Sequence, residues 1–278
     1  MQRVLRRQAQ VGLSTLSFQP GALHFFHVAG GLLADQRERR MLRLLKNSVH
    51  GLGRRYISAL TRSDWENQDD EYGHGWPTER AVEYAFVIRA VRDLCPRTIL
   101  DVGAGTSALP IMLRASGAVV DAIDQVEDYW GTDGASFNRH WHIQHHDIRK
   151  PLLKKYDMIT CISVLEHIPE PDVPMANMLD ALNPDGVLLL CGPYNEQVYV
   201  PNAYDLPEAG YGKGNRYVCQ QFSRAELSRW VKPPYEIEKQ EYWKVFEGPW
   251  WTMGRARPRC ASATDMHHHS CVQIRRRA

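Results

Sequence analysis

TILDVGAGTSALP, residues 98–110, is the stretch that decides the fold. Apolar residues of strand character run into two closely spaced glycines, and a helix-compatible segment follows. Such a turn brings backbone N–H groups and a helix N-terminus up to a ligand, because glycine has no Cβ to obstruct the approach. Two nucleotide-binding patterns fit equally well. Gly103 to Ala108 satisfies a dinucleotide fingerprint with alanine in its last place. Asp101 to Gly105 also reads as an acidic, glycine-containing loop for an adenosyl cofactor, and the stretch alone does not choose.

Outward from this loop, short apolar runs alternate with helical ones. AVVDAID reads as a second strand, WHIQHHD as a short third, YDMITCIS as a fourth and GVLLLCGP as a fifth, entered through the turn Asn183-Pro184-Asp185-Gly186. SALPIMLRAS is expected to be a helix bent by Pro110 and ended by Gly117, and PMANMLDAL another. Upstream, Thr78 is the expected N-cap of a helix whose apolar face is Ala81, Val82, Ala85, Ile88 and Val91. Ser223 and Glu226 form a capping-box pattern. The pattern predicts an α/β, doubly wound, mostly parallel sheet with helices on both faces. YEIEKQEYWKVFEG supplies antiparallel strands at its C-terminal edge.

The ends differ from the middle. Residues 1–60 carry ten Arg/Lys against two acids and residues 254–278 six Arg against one acid, so the body between them is acidic although the net charge is +2. The expected organisation is a basic N-terminal helical extension and loop (1–77), a core domain (78–253) with an insertion near 194–217, and a basic tail (254–278). Residues 35–50 place Met41, Leu42, Leu44, Leu45 and Val49 on one side of a helix. Solvated ends account for the basic charge; nucleic-acid contact through them is possible but not favoured. No run is long and apolar enough for a membrane span, and the first residues lack the form of a secretory signal. The six cysteines have no paired spacing and read as reduced core thiols of a cytoplasmic protein. His267, His268, His269 and Cys271 lack the spacing of a structural zinc site, and no metal is expected.

Strand ends choose the ligand, because an open α/β sheet binds beyond the carboxyl ends of its strands. Asp124 closes the second strand, where a carboxylate accepts ribose hydroxyls; a dinucleotide and an adenosyl cofactor both carry that ribose. Asp147 follows the third strand, placed to accept an adenine amino group while Ile148 covers the ring. The fourth strand exits through Leu165-Glu166-His167. Taken in order, ILDVGAG, VVDAID, HHDI, YDMITCISVLEHI and LNPDGVLLLCGP resemble the glycine motif, acidic second strand, adenine-contacting segment, fourth strand and fifth strand of the class I S-adenosylmethionine (SAM)-dependent methyltransferases. The resemblance covers about residues 78–230 and implies their Rossmann-like fold and SAM as cofactor. It assigns cofactor contacts to Asp101, Gly103, Ala104, Gly105, Asp124, Gln125, Asp147, Ile148 and Ser163. One departure is Ser107, where many members carry a third glycine.

Methyl transfer from a sulfonium needs no enzymic nucleophile. The protein orients donor and acceptor, excludes water and, for an oxygen acceptor, takes a proton. His167 is the base candidate by position, its alternative being a structural histidine. Tyr194 and Asn195 stand on the acceptor side after the fifth strand. Tyr72, His74 and Trp76 precede the entry helix, and Trp130 is placed to stack near the adenine. CISVLEHI lacks the Asn/Asp-Pro-Pro-Tyr/Phe motif of nucleic-acid amino methylation, and no cysteine has the context of a base-attacking thiolate. The expectation is methyl transfer to oxygen or nitrogen of a small molecule. RNA methylation or a catalytically impaired structural subunit are the alternatives.

Overall fold

In the computed structural model the described residues are 78–125, 138 and 141–277. The expected helix at 35–50, together with Tyr72, His74, Trp76 and Trp130, lies outside them. Thr78 caps α1 (Glu79–Leu94), accepting from the Arg80 N–H at 3.3 Å. There follow β1 (Thr98–Val102), α2 (Leu109–Arg114), β2 (Val119–Asp124), β3 (Gln144–His145), β4 (Tyr156–Ile162) and α3 (Asp172–Asp180). The chain ends with β5 (Leu182–Pro193), α4 (Arg224–Trp230), β6 (Tyr235–Phe246), β7 (Arg255–Ala261) and β8 (His269–Arg276).

The strands form one eight-stranded sheet in the order β3-β2-β1-β4-β5-β8-β6-β7. From β3 to β5 every pairing is parallel; β8 runs antiparallel to both β5 and β6, and β7 antiparallel to β6. Strand direction along the chain therefore reverses its lateral course at β1 and β4, which opens the crevice that such sheets use for ligands. Strands in the centre of this sheet are buried on both faces, so β1 and β4 are mainly apolar, with the polar Asp101 and Thr160 buried among them. On one face Phe86, Val87, Ala90 and Val91 of α1 and Leu109 and Leu113 of α2 pack on Ile99, Met158, Ile162 and Leu189. On the other, Met175 and Met178 of α3 and Leu227 and Trp230 of α4 pack on Leu100, Ile159, Leu188 and Val272.

Three expectations need correction. The buried face of α1 is Glu83, Phe86, Val87, Ala90 and Val91, with Ala81, Ala85 and Ile88 exposed, because Glu83 is turned inward to buried partners. Pro110 stands in the first turn of α2, where a missing N–H costs no helical hydrogen bond, so it starts the helix instead of bending it. The segment 254–278 is not a tail: it makes β7 and β8, and β8 is an inner strand between β5 and β6. His267, His268 and His269 are consequently buried at the end of the sheet where β5 exits. The capping box Ser223–Glu226 opens α4, and Asp185 takes the positive φ of 59° that its turn requires. All six cysteines are free; Cys161, Cys191, Cys219 and Cys271 are buried, whereas Cys95 and Cys260 are exposed.

Candidate functional site

The glycine loop is folded back onto the exit of β2. Gly103 and Gly105 have φ of 71° and 49°, the left-handed region that side chains resist. The Gly103 and Ala104 N–H groups donate to the Ile123 carbonyl at 2.9 and 3.2 Å. The Gly105 N–H donates to Asp124 Oδ2 at 2.7 Å, and the Gln125 N–H to Oδ1 at 2.6 Å. Asp124 is thereby held at the mouth of the loop. Burial raises its carboxyl above the ordinary range, and those two backbone donors work against the rise. Asn138 braces the other side, donating to the carbonyls of Gly105 and Ser107 at 3.0 and 2.9 Å.

Gly103 faces the neighbouring strand exit: a Cβ there would lie 2.2 Å from Val164 Cγ2. Ser107 is different. It is not among the residues with positive φ, and its Oγ accepts from the Leu109 N–H at 3.4 Å, so a side chain at this position imposes no backbone strain.

Beneath the loop Asp101 is buried and accepts from Thr160 Oγ1 at 2.6 Å, while its Oδ2 has no hydrogen-bond partner among the described residues. Burial pushes its carboxyl up to about 7; the Thr160 hydroxyl opposes this and the nearby Asp124 adds to it. Ser163, at the exit of β4, has φ 52° and donates its hydroxyl to Glu83 Oε1 at 2.6 Å. A 3-10 turn, Leu165–His167, follows. Its Glu166 is buried with Oε2 unpartnered among the described residues, beside Gly192 of β5.

The remaining predicted residues are placed less directly. Asp147 is bound by its own neighbour: Arg149 donates its backbone N–H and side chain at 2.8–3.0 Å, and this holds the carboxyl down at about 2. Ile148, expected over an adenine ring, is turned into the core with its carbonyl accepting from Asn177 at 2.8 Å. His167 Nδ1 donates to the Val218 carbonyl at 2.7 Å, and burial lowers the imidazole to about 4, keeping it neutral. Tyr194 is buried, donates to Glu196 Oε2 at 2.9 Å and stacks on His267. Its hydroxyl and the His167 imidazole are directed to different partners, Glu196 and the Val218 carbonyl. Asn195 Oδ1 is taken by the N–H groups of Gln197 and Val198.

The sequence reading missed Glu83 and His269, both fully buried, with His269 Nε2 3.2 Å from Glu83 Oε1. The available signals were a glutamate set among the apolar residues of α1 and a histidine run preceding the valine-containing strand of β8. Among the described residues no group of three His, Cys, Asp or Glu side chains is placed to hold a metal, and no helix is long and apolar enough to cross a membrane.

A doubly wound sheet with an inserted antiparallel strand and a glycine loop tied to an acidic second strand defines a class I SAM-dependent methyltransferase. The family comparison agrees: residues 34–233 match the model of a methyltransferase domain family, and the chain belongs to that family. Among curated relatives, the ubiquinone biosynthesis O-methyltransferase of Xanthomonas oryzae pv. oryzae is 26% identical over 195 residues, covering 65% of this chain and 77% of the relative. That of Coxiella burnetii is 27% identical over 145 residues, covering 48% of this chain and 61% of the relative. Among solved structures, the 1,6-didemethyltoxoflavin-N1-methyltransferase of Burkholderia thailandensis, with its acceptor and S-adenosylhomocysteine bound, has a TM-score of 0.50 at 14% identity. It covers 82% of this chain and 90% of that one, and shares the fold.

Proposed function

We propose that this chain transfers a methyl group from SAM to a hydroxyl oxygen of a small-molecule acceptor. The observation that carries the cofactor assignment is the Gly105–Asp124 contact: the glycine loop and the second-strand carboxylate form one unit at the crevice where the strand order reverses. On this reading Gly103, Ala104 and Gly105 admit the methionine end of SAM, with Asp101 below them. Asp124 accepts the ribose hydroxyls, with Gln125 beside it, and Ser163 lines the exit of β4. Asp147 and Ile148 form the adenine side through backbone and surface more than through a free carboxylate. When bound, SAM supplies the electrophilic methyl; the chain orients it and keeps water out.

Oxygen is preferred as acceptor atom because the relatives at 26–27% identity carry O-methyltransferase names. His167, neutral and weakly basic, suits an orienting contact to the Val218 carbonyl better than proton removal, since a general base works best with a pKa near the working pH. Tyr194 fits a wall of the acceptor side, its hydroxyl being committed to Glu196. At Ser107, where φ is not positive, the departure from glycine costs the loop no backbone strain, which supports an enzyme over an impaired subunit.

Calorimetry with S-adenosylhomocysteine tests the cofactor half. Wild type is expected to bind, and Asp124→Ala to lose affinity by tenfold or more, on the order of one or two hydrogen bonds to a charged group. Equal binding by both proteins would remove Asp124 from the site. Labelled-methyl transfer from SAM into phenolic small molecules, compared with RNA, tests the acceptor half.

A further inference from the structure

Glu83 takes no part in the cofactor contacts, yet it ties together three parts of the chain that meet beside them. It is fully buried in α1. Its Oε2 accepts from Arg80 Nη1 at 2.8 Å, and its Oε1 accepts from Ser163 Oγ at 2.6 Å and lies 3.2 Å from His269 Nε2. Burial alone would favour the neutral acid; Arg80 and His269 overcome it and hold the carboxyl at about 2. His269 is held protonated, raised to about 10 against its own burial by Cys271 and Glu83. The group touching Ser163 is therefore a fixed carboxylate, which makes a stronger hydrogen bond than a neutral partner would.

What Glu83 grips is the strained end of β4. Ser163 sits at φ 52° without being glycine, and its N–H donates to the Cys191 carbonyl at 2.9 Å. The next residue, Val164, fills the space in front of Gly103, with its methyl groups where a Cβ on that glycine would fall. A continuous line of contacts thus runs from Glu83 through Ser163 and Val164 to the glycine loop.

We propose that Glu83 is a positioning residue for the cofactor: anchored by Arg80 and His269, it holds Ser163 in its left-handed turn and so sets Val164 against Gly103, fixing the shape of the loop that receives SAM. This rests on the reading of Gly103–Gly105 as the cofactor loop. A purely structural ion pair would leave cofactor affinity unchanged once the protein is folded, whereas a positioning role makes the effects of Glu83 and Ser163 on affinity interdependent.

The test is a double-mutant cycle on S-adenosylhomocysteine affinity, measured by calorimetry on the full chain. Ser163→Ala removes the grip while leaving the Arg80–Glu83–His269 ion pairs in place, so it tests the inference even where Glu83→Gln folds poorly. Ser163→Ala and Glu83→Gln are each expected to weaken binding by about tenfold, the scale of one hydrogen bond to a charged group, with the urea midpoint of Ser163→Ala near that of wild type. The double variant is expected to bind no more weakly than the weaker single one. Variants that bind like wild type, or losses that multiply in the double variant, overturn the inference while leaving the cofactor site standing. A wild-type chain that fails to bind overturns the cofactor reading, and the inference with it.

Discussion

Glu166→Gln should make the protein more stable at neutral pH, and the size of the gain follows from where the side chain sits. Glu166 is 2% exposed at the exit of β4, next to Gly192, where a Cβ would lie 3.3 Å from its Oε2. Leu165, Tyr194 and Phe222 complete its surroundings. Burial raises its carboxyl from 4.5 to about 8; a backbone N–H opposes the rise, and the negative Glu83 adds to it. The folded protein therefore keeps Glu166 protonated at neutral pH, while the unfolded chain ionises it. Because the folded value is the higher one, the stabilisation is complete below pH 4.5 and is lost as pH rises toward about 8. The loss runs at about 1.4 kcal/mol per pH step, so between pH 5 and pH 7.5 wild type gives up about 3 kcal/mol through this group. Glutamine copies the neutral acid in shape and does not titrate. Urea unfolding of both proteins at the two pH values should show the variant gaining about 3 kcal/mol on wild type between them. A difference that does not change with pH would refute the argument, since Glu166 would then be ionised in the fold. The same neutrality means that Glu166 already carries a proton at neutral pH and is no base there.

Two further outcomes check the structure from other directions. Gly103→Ala places a methyl group against Val164 at a positive φ, and should destabilise the fold by about 1–3 kcal/mol in thermal unfolding while weakening S-adenosylhomocysteine binding; an unchanged melting temperature would mean that Val164 does not stand there. A thiol reagent should modify Cys95 and Cys260 in the folded protein and the other four cysteines only after denaturation, so rapid reaction of Cys161, Cys191, Cys219 or Cys271 would contradict their burial.

What the sequence disclosed and what it concealed divide along one physical line. The parallel strands are legible because a strand buried on both faces is built mainly from apolar residues, as TILDV and YDMITCI are. The glycine loop and Asp124 are legible because the residue types that a tight turn and a strand end require are local marks in the chain, even though the contacts that join the two are not. β8 reads as a solvated tail for the opposite reason. His269, Ser270 and Gln273 are polar, and only the tertiary fold gives them partners in Glu83, Gln240 and Glu238. The same partner displaced the expected face of α1. A glutamate in a helix is assigned to solvent unless its partners are known; Arg80, three residues before it, is one, but the buried partner that turns it inward, His269, lies far along the chain.

That division bears on how the candidate site works. The half found by motif, Gly103 to Gly105 with Asp124, is held by backbone hydrogen bonds between β1 and β2. The half found only in the fold, Glu83 with His269, is held by charges drawn from α1 and β8, and it meets Ser163, a residue the sequence did point to, at the exit of β4. A buried ion pair is weak evidence of stabilisation, because the desolvation of two charges offsets most of their attraction. Its place beneath the strand exits is better explained by what it orients than by what it stabilises. The apolar alternative would pack as well, but it could offer no acceptor to the hydroxyl of Ser163, and the strained exit of β4 would lose the contact that holds Val164 beneath the loop.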